Sequence, residues 1–208
     1  MIVLGLTGSV GMGKSTAALM LRRLGVAVHD SDGAVHRLLA PKGAAVAAVA
    51  AAFPGVQSRE GGIDRAQLGA RVFADPAALR RLERILHPLV RQSQQRFLAR
   101  ARARRLRLVV LDIPLLFETG GTRRCDEVVV VSAPAFLQRA RVLARPGMSE
   151  ARFSAILAQQ VPDAHKRRRA DHVVPSGLGR AVTFRRLKRI VGGIKSPRST
   201  EPCLDSPR

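Results

Sequence analysis

The chain has 208 residues, and 36 Lys and Arg against 15 Asp and Glu leave a formal charge of +21. With 46% hydrophobic residues and a mean hydropathy of +0.03, it can bury a core, which excludes wholesale disorder. No apolar run approaches the roughly 20 residues of a membrane span, and MIVLGLTGS lacks a charged leader and a cleavage site, so the expectation is a soluble, cytoplasmic protein.

Residues 1–7, MIVLGLT, form a near-continuous apolar run, the pattern of a buried parallel strand. A glycine-rich loop follows at 8–13. Apolar residues at Ala17, Leu19, Met20, Leu21 and Leu24 then predict a helix over 14–24, closed by Gly25, before a second short strand at 26–29. Strand, loop, helix and strand make a βαβ unit, hence an α/β fold around a parallel sheet.

Residues 34–105 read as an inserted helical lobe, rich in Ala and Arg. The helices are broken at Pro41, Phe53-Pro54-Gly55, Glu60-Gly61-Gly62, Asp75-Pro76 and His87-Pro88. Strands resume at 106–111 and 127–131, helices are expected over 134–144 and 149–160, and a last strand at 172–174 leads to a helix over about 178–190. The tail 195–208, KSPRSTEPCLDSPR, has the composition of a disordered segment. The two cysteines, Cys125 and Cys203, make no disulfide framework, and free thiols without a metal role are expected.

The charge invites a nucleic-acid reading, but the composition tempers it. The chain has no Trp or Tyr and only 7 Phe, so the aromatic platforms on which single-strand binders stack bases are scarce. The basic residues are dispersed, and the one dense run, at 166–169, reads as a solvated helix face. A polyanionic small substrate accounts for scattered arginines equally well, and no specific nucleic-acid partner is expected.

The strongest motif is Gly8-Ser9-Val10-Gly11-Met12-Gly13-Lys14-Ser15, which matches G-x-x-x-x-G-K-[ST]. Glycines let the backbone curl so that successive N–H groups face phosphate oxygens. Lys14 then reaches the β and γ phosphates, Ser15 offers its hydroxyl to Mg²⁺, and the following helix adds its positive end. Chance would supply this match in about 3 of 1,000 chains of this composition. There is no N/T-K-x-D element of a GTPase, and the strand ending in Asp112 lacks the second acidic residue usual in motors. A small-molecule kinase is the leading class.

Asp30-Ser31-Asp32 follows the second strand, at the carboxyl edge where parallel sheets collect ligands. We favour Asp32 as the base for an attacking hydroxyl, with a second option of holding Mg²⁺ through water; Asp30 can instead cap the next helix. Gln138, Arg141 and Arg145 share a helical face before Pro146-Gly147, a position suited to a lid that compensates phosphoryl charge. His87 precedes a proline as a boundary residue, and Asp171 can serve the nucleotide or a cap. The histidines show no metal-ligand spacing.

In order along the chain, GLTGSVGMGKST, HDSD, GGIDR, LHPLV, DIPLLFE, Q-x-x-R-x-x-x-R, ILAQQ and RADHVV resemble the dephospho-CoA kinase family, collinearly from residue 1 to about 190. The resemblance implies a P-loop core like that of nucleoside monophosphate kinases (1–33 and 106–194), a helical acceptor lobe (about 34–105) and a lid (about 138–165). It implies ATP-dependent phosphorylation of the ribose 3′-hydroxyl of dephospho-CoA, the last step of CoA biosynthesis. Gly11, Met12, Gly13, Lys14, Ser15 and Thr16 would bind ATP, with Mg²⁺ as cofactor, Asp32 as base, Arg141 and Arg145 in the lid, and the lobe carrying His87 against the acceptor. The family's basic residue four positions after the second aspartate is His36 here, with Arg37 one step on; either His36 takes that place or Arg37 shifts. An Asn usual after the last strand is replaced by Val174-Pro175-Ser176-Gly177. A monomer or weak homo-oligomer is expected.

Overall fold

A computed structural model describes residues 1–73 and 75–195. Three strands, β1 (Ile2–Thr7), β3 (Leu108–Asp112) and β4 (Glu127–Ser132), are almost wholly buried, as their unbroken apolar runs require. They form the centre of a five-stranded parallel sheet in the order β2-β3-β1-β4-β5, whose short edges are β2 (Ala27–Asp30) and β5 (His172–Pro175). Pro175 is tolerated at the end of an edge strand, where no ladder donor is needed.

Helices α1 (Lys14–Arg23) and α9 (Arg180–Lys195) cover one face, where Leu21, Leu187 and Ile190 pack on Leu4, Leu6, Val110 and Val129. The other face receives Ala101, Phe97 and Leu98, with Leu116 and Phe117, against Val109, Leu111 and Val130. This is a three-layer α/β core, as predicted. Of the expected tail, residue 195 closes α9 and 196–208 lie outside the described residues.

The lobe comprises α2 (Ser31–Leu39), α3 (Val46–Ala52), α4 (Arg65–Phe73) and the first half of α5 (Pro76–Ala103). It has its own core of Leu39, Val49, Phe53, Leu68, Leu82 and Leu86. Among the described residues its only strand-like feature is a single bridge between Gln57 and Ile63.

The expected break at His87-Pro88 is corrected: α5 runs through Pro88 for 28 residues. An interior proline removes one hydrogen bond and costs about 3 kcal/mol. Here Leu82, Leu86 and Leu89 on one side and Phe97, Leu98 and Ala101 on the other anchor the helix in two cores, which offsets that cost. Asp75 caps its start by accepting from the Ala77 N–H at 2.8 Å, and Pro76 occupies the first turn.

The basic run at 166–169 is also corrected. Within α8 (Asp163–Arg168), Arg167 and Arg168 are exposed, but the Lys166 side chain is fully buried and pairs with Glu118 at 2.8 Å. Burial works to raise the Glu118 carboxyl, yet the Lys166 ammonium and the Val161 N–H together hold it below the ordinary range. Lys166→Met leaves that partly buried carboxylate the Val161 N–H but no counter-ion, and is expected to lower the unfolding free energy by about 3 kcal/mol in urea titrations. A change under about 1 kcal/mol would show the pair to be idle.

Two further residues are structural. Asp171 accepts from the Val128 N–H at 2.7 Å, at the opposite end of the sheet from the glycine-rich loop. The Cys125 thiol is free and packs on Gly5, and burial pushes it up to about 11; Cys203 lies outside the described residues. No described helix is long and apolar enough to cross a membrane.

Candidate active site

The chain leaves β1 at its carboxyl end, in mid-sheet, and turns through residues 8–13 into α1. Two glycines make the turn possible. Gly11 has φ +76°, and a Cβ there would come within 2.6 Å of Val142; Gly13 has φ +86° and starts α1 without any side-chain cap. The first N–H groups of α1 are therefore left for a ligand, at the positive end of the helix.

This loop floors a cleft of about 590 Å³, walled by Asp32, Pro114, Arg141, Arg145, Gln160, Ser176, Arg180 and Thr183. Lys14, Arg141, Arg145 and Arg180 face one carboxylate, Asp32, so the lining is strongly positive. Gly11, Met12, Gly13, Lys14, Ser15 and Thr16 all border the cleft. Met12 does so by its backbone, since its side chain is buried and its sulfur accepts from the Ala133 N–H at 3.1 Å.

Three aspartates meet at the carboxyl edge of β2 and β3. Asp30 and Asp112 are register partners, and Asp32 lies in the first turn of α2. Asp30 Oδ1 accepts from the Gly33 N–H at 2.9 Å, which makes Asp30 the helix cap. Asp112 pairs with Lys14 Nζ at 2.6 Å, with both side chains largely buried. Burial pushes the Asp112 carboxyl up, Lys14 pulls it down by less, and Asp30 and Asp32 add to the rise. Asp32 is exposed to the cleft with no hydrogen bond or ion pair among the described residues.

Behind this edge, Gln94 is buried on α5; its amide donates to Ser31 Oγ at 3.2 Å and accepts from Arg124 at 2.9 Å. His29 meets Ser93 Oγ at 3.0 Å, and burial, then Arg37, hold its pKa down against Asp30. The turn bearing Asp32 is thus tied to the long helix.

Gln138 and Arg141 on α6 (Ala135–Leu143) and Arg145 just beyond it divide their tasks. Gln138 is buried and donates to the Val10 carbonyl at 2.8 Å. Arg141 donates to Ser176 Oγ at 3.0 Å, to the Ser176 carbonyl at 2.8 Å and to the Gly11 carbonyl at 3.4 Å. Ser176 Oγ in turn donates to the Met12 carbonyl at 2.7 Å. Arg145, just past the end of the helix, is exposed and makes no such contact among the described residues.

His36, Arg37 and His87 do not line the cleft. Arg65 donates to His36 Nδ1 at 3.4 Å, Arg37 lies beside Gly33, and His87 is half-buried on α5. Sequence reasoning gave no site role to Asp112, Ser176, Arg180 and Thr183. Asp112 had a signal, a lone acidic residue closing an apolar strand; the others are brought in by β5 and α9, which local pattern does not place beside the loop.

A glycine-rich phosphate cradle after a central strand, a free carboxylate opposite it and two arginines in its wall, Arg141 braced on Ser176 and Arg145 exposed, define a P-loop kinase fold and site. The sequence profile of the dephospho-CoA kinase family matches residues 2–178, and the chain belongs to that family. It is 64% identical to the dephospho-CoA kinase of Paramagnetospirillum magneticum over 97% of this chain and 95% of that one. The Rhodospirillum rubrum dephospho-CoA kinase is 60% identical over 90% and 89%. The crystal structure of TT1252 from Thermus thermophilus superposes with a TM-score of 0.81 at 35% identity, covering 94% and 98% of the two chains.

Proposed function

We propose that the chain transfers the γ-phosphoryl group of ATP to the ribose 3′-hydroxyl of dephospho-CoA, giving CoA and ADP, with Asp32 as the base. The observation that supports this assignment is the division among the carboxylates. Asp30 is committed to Gly33 and Asp112 to Lys14, which leaves Asp32 to accept a hydroxyl proton in the cleft. Backbone N–H groups of Gly11 and of residues 13–16 take the phosphates, the Met12 N–H being committed to the Ser9 carbonyl, and Lys14 exchanges Asp112 for phosphate oxygens when ATP enters.

The Ser15 hydroxyl and Asp32, the latter through water, suit Mg²⁺, which prefers few protein ligands and keeps substrate oxygens and waters. Both side chains border the cleft beside Lys14, and Asp32 has no other partner among the described residues. When bound, the ion would neutralise charge on the phosphates. Arg145, free at the mouth of the cleft, compensates charge on the transferring group, whereas Arg141 braces the loop through its carbonyls.

The acceptor lies toward the lobe that carries His87. Of the two basic residues after Asp32, Arg37 is the better placed, beside the Asp30–Gly33 turn, while His36 is turned to Arg65. Incubation with ATP, Mg²⁺ and dephospho-CoA is expected to yield ADP and CoA together. No acceptor-dependent ADP would overturn this reading, and ADP release driven by RNA at low salt would favour a nucleic-acid-dependent NTPase.

A further inference from the structure

Val10, the third residue of the phosphate loop, is held through both of its backbone groups. Its carbonyl accepts from Gln138 Nε2 at 2.8 Å, and its N–H donates to Gln160 Oε1 at 3.1 Å. Gln138 sits in α6; Gln160 follows α7 (Glu150–Ala158). The segment between them carries Arg141 and Arg145, so both of its roots end on the same loop residue.

The second root is fastened again one residue later. The Val161 N–H donates to Glu118 Oε1 at 2.9 Å, and Glu118 is the partner of the fully buried Lys166. Neither root can shift without disturbing the loop.

We infer that Gln138 and Gln160 are positioning residues that bind both roots of the arginine-bearing segment to Val10, so that filling the loop and closing the segment over the γ-phosphate are one movement. The inference rests on the reading of that segment as the kinase lid. The two amides act with opposite polarity: residue 138 must donate and residue 160 must accept. A lid with a loose root admits water to the γ-phosphate. Water then takes the phosphoryl group in place of the acceptor hydroxyl, ATP becoming ADP and inorganic phosphate, and ADP outruns CoA.

The test measures ADP and CoA formed by the full chain from ATP, Mg²⁺ and dephospho-CoA. The parent is expected to make them in equal amounts, and Gln160→Leu to raise ADP per CoA about threefold or more. Gln160→Glu keeps an acceptor for the Val10 N–H and is expected to return the ratio near the parent's, whereas Gln138→Glu has no donor and stays uncoupled like Gln138→Leu. Gln160 is only half-buried, so its two variants decide the matter even where those at buried Gln138 fold poorly. Equal ADP and CoA in Gln160→Leu, with only the melting temperature or total rate lowered, would reduce Gln160 to a structural residue and overturn the clamp. A parent that makes no CoA would instead overturn the kinase reading itself.

Discussion

Asp32→Asn is expected to slow CoA formation by about 10²–10⁴-fold, the usual contribution of a placed general base, while ATP affinity changes little. The amide has nearly the same shape but cannot take the proton of the attacking hydroxyl. It also leaves the loop intact, since no residue of that loop bonds to Asp32 among the described residues. Asp30→Asn is the internal contrast. Asparagine is as good an N-cap as aspartate, so the bond from Gly33 survives and the loss should be far smaller. Initial rates with saturating ATP, paired with an ATP titration, separate the two. Near-parental turnover in Asp32→Asn would remove it as the base.

Lys14→Met carries the second large effect, on catalysis and stability together. Loss of the ammonium removes a cation aimed at the β and γ phosphates and is expected to cut kcat/KM by about 10²–10³-fold. It also leaves Asp112 without its counter-ion. With Lys14 gone, burial and the carboxylates of Asp30 and Asp32 act on Asp112 unopposed, and its pKa climbs further. A carboxyl whose folded pKa lies above its unfolded value destabilises the fold above that folded pKa. This cost disappears as pH falls toward the unfolded value. The deficit in melting temperature relative to the parent should therefore be largest at pH 8 and shrink by pH 5. A deficit independent of pH would mean that Asp112 is not the strained group.

The parts of the molecule most legible in sequence were those whose physics is local. Strand, glycine loop, lysine and helix lie within 23 consecutive residues, and their order and spacing alone give the turn and the cradle. Asp30 and Asp32 were legible for the same reason, though only the bond from Gly33 decides which of them caps. The rest depended on distant partners. Lys166 looks like one more solvated cation until Glu118, from the segment after β3, is seen to meet it in the interior. Nothing in the spacing of Arg141 reports that it bonds Ser176, beyond β5. Pro88 signals a helix end in any local reading; two separate cores hold the helix through it. Spacing cannot report such pairings, because they are set by which strands become neighbours.

The helix that passes through Pro88 also constrains how this chain can change length. Leu86 belongs to the lobe, and Gln94 and Ala101 belong to the sheet side, on one uninterrupted rod. Each residue added between Leu86 and Gln94 would advance one end by about 1.5 Å and rotate it by about 100° relative to the other. A single insertion would thus swing the lobe out of phase with the turn bearing Asp32. The exposed loop tips at 54–55 and 59–60, by contrast, can lengthen without turning anything. Length variation among relatives of this chain should collect in those loops and spare the middle of the rod, where the spacing works as a gear tooth count rather than as a tether.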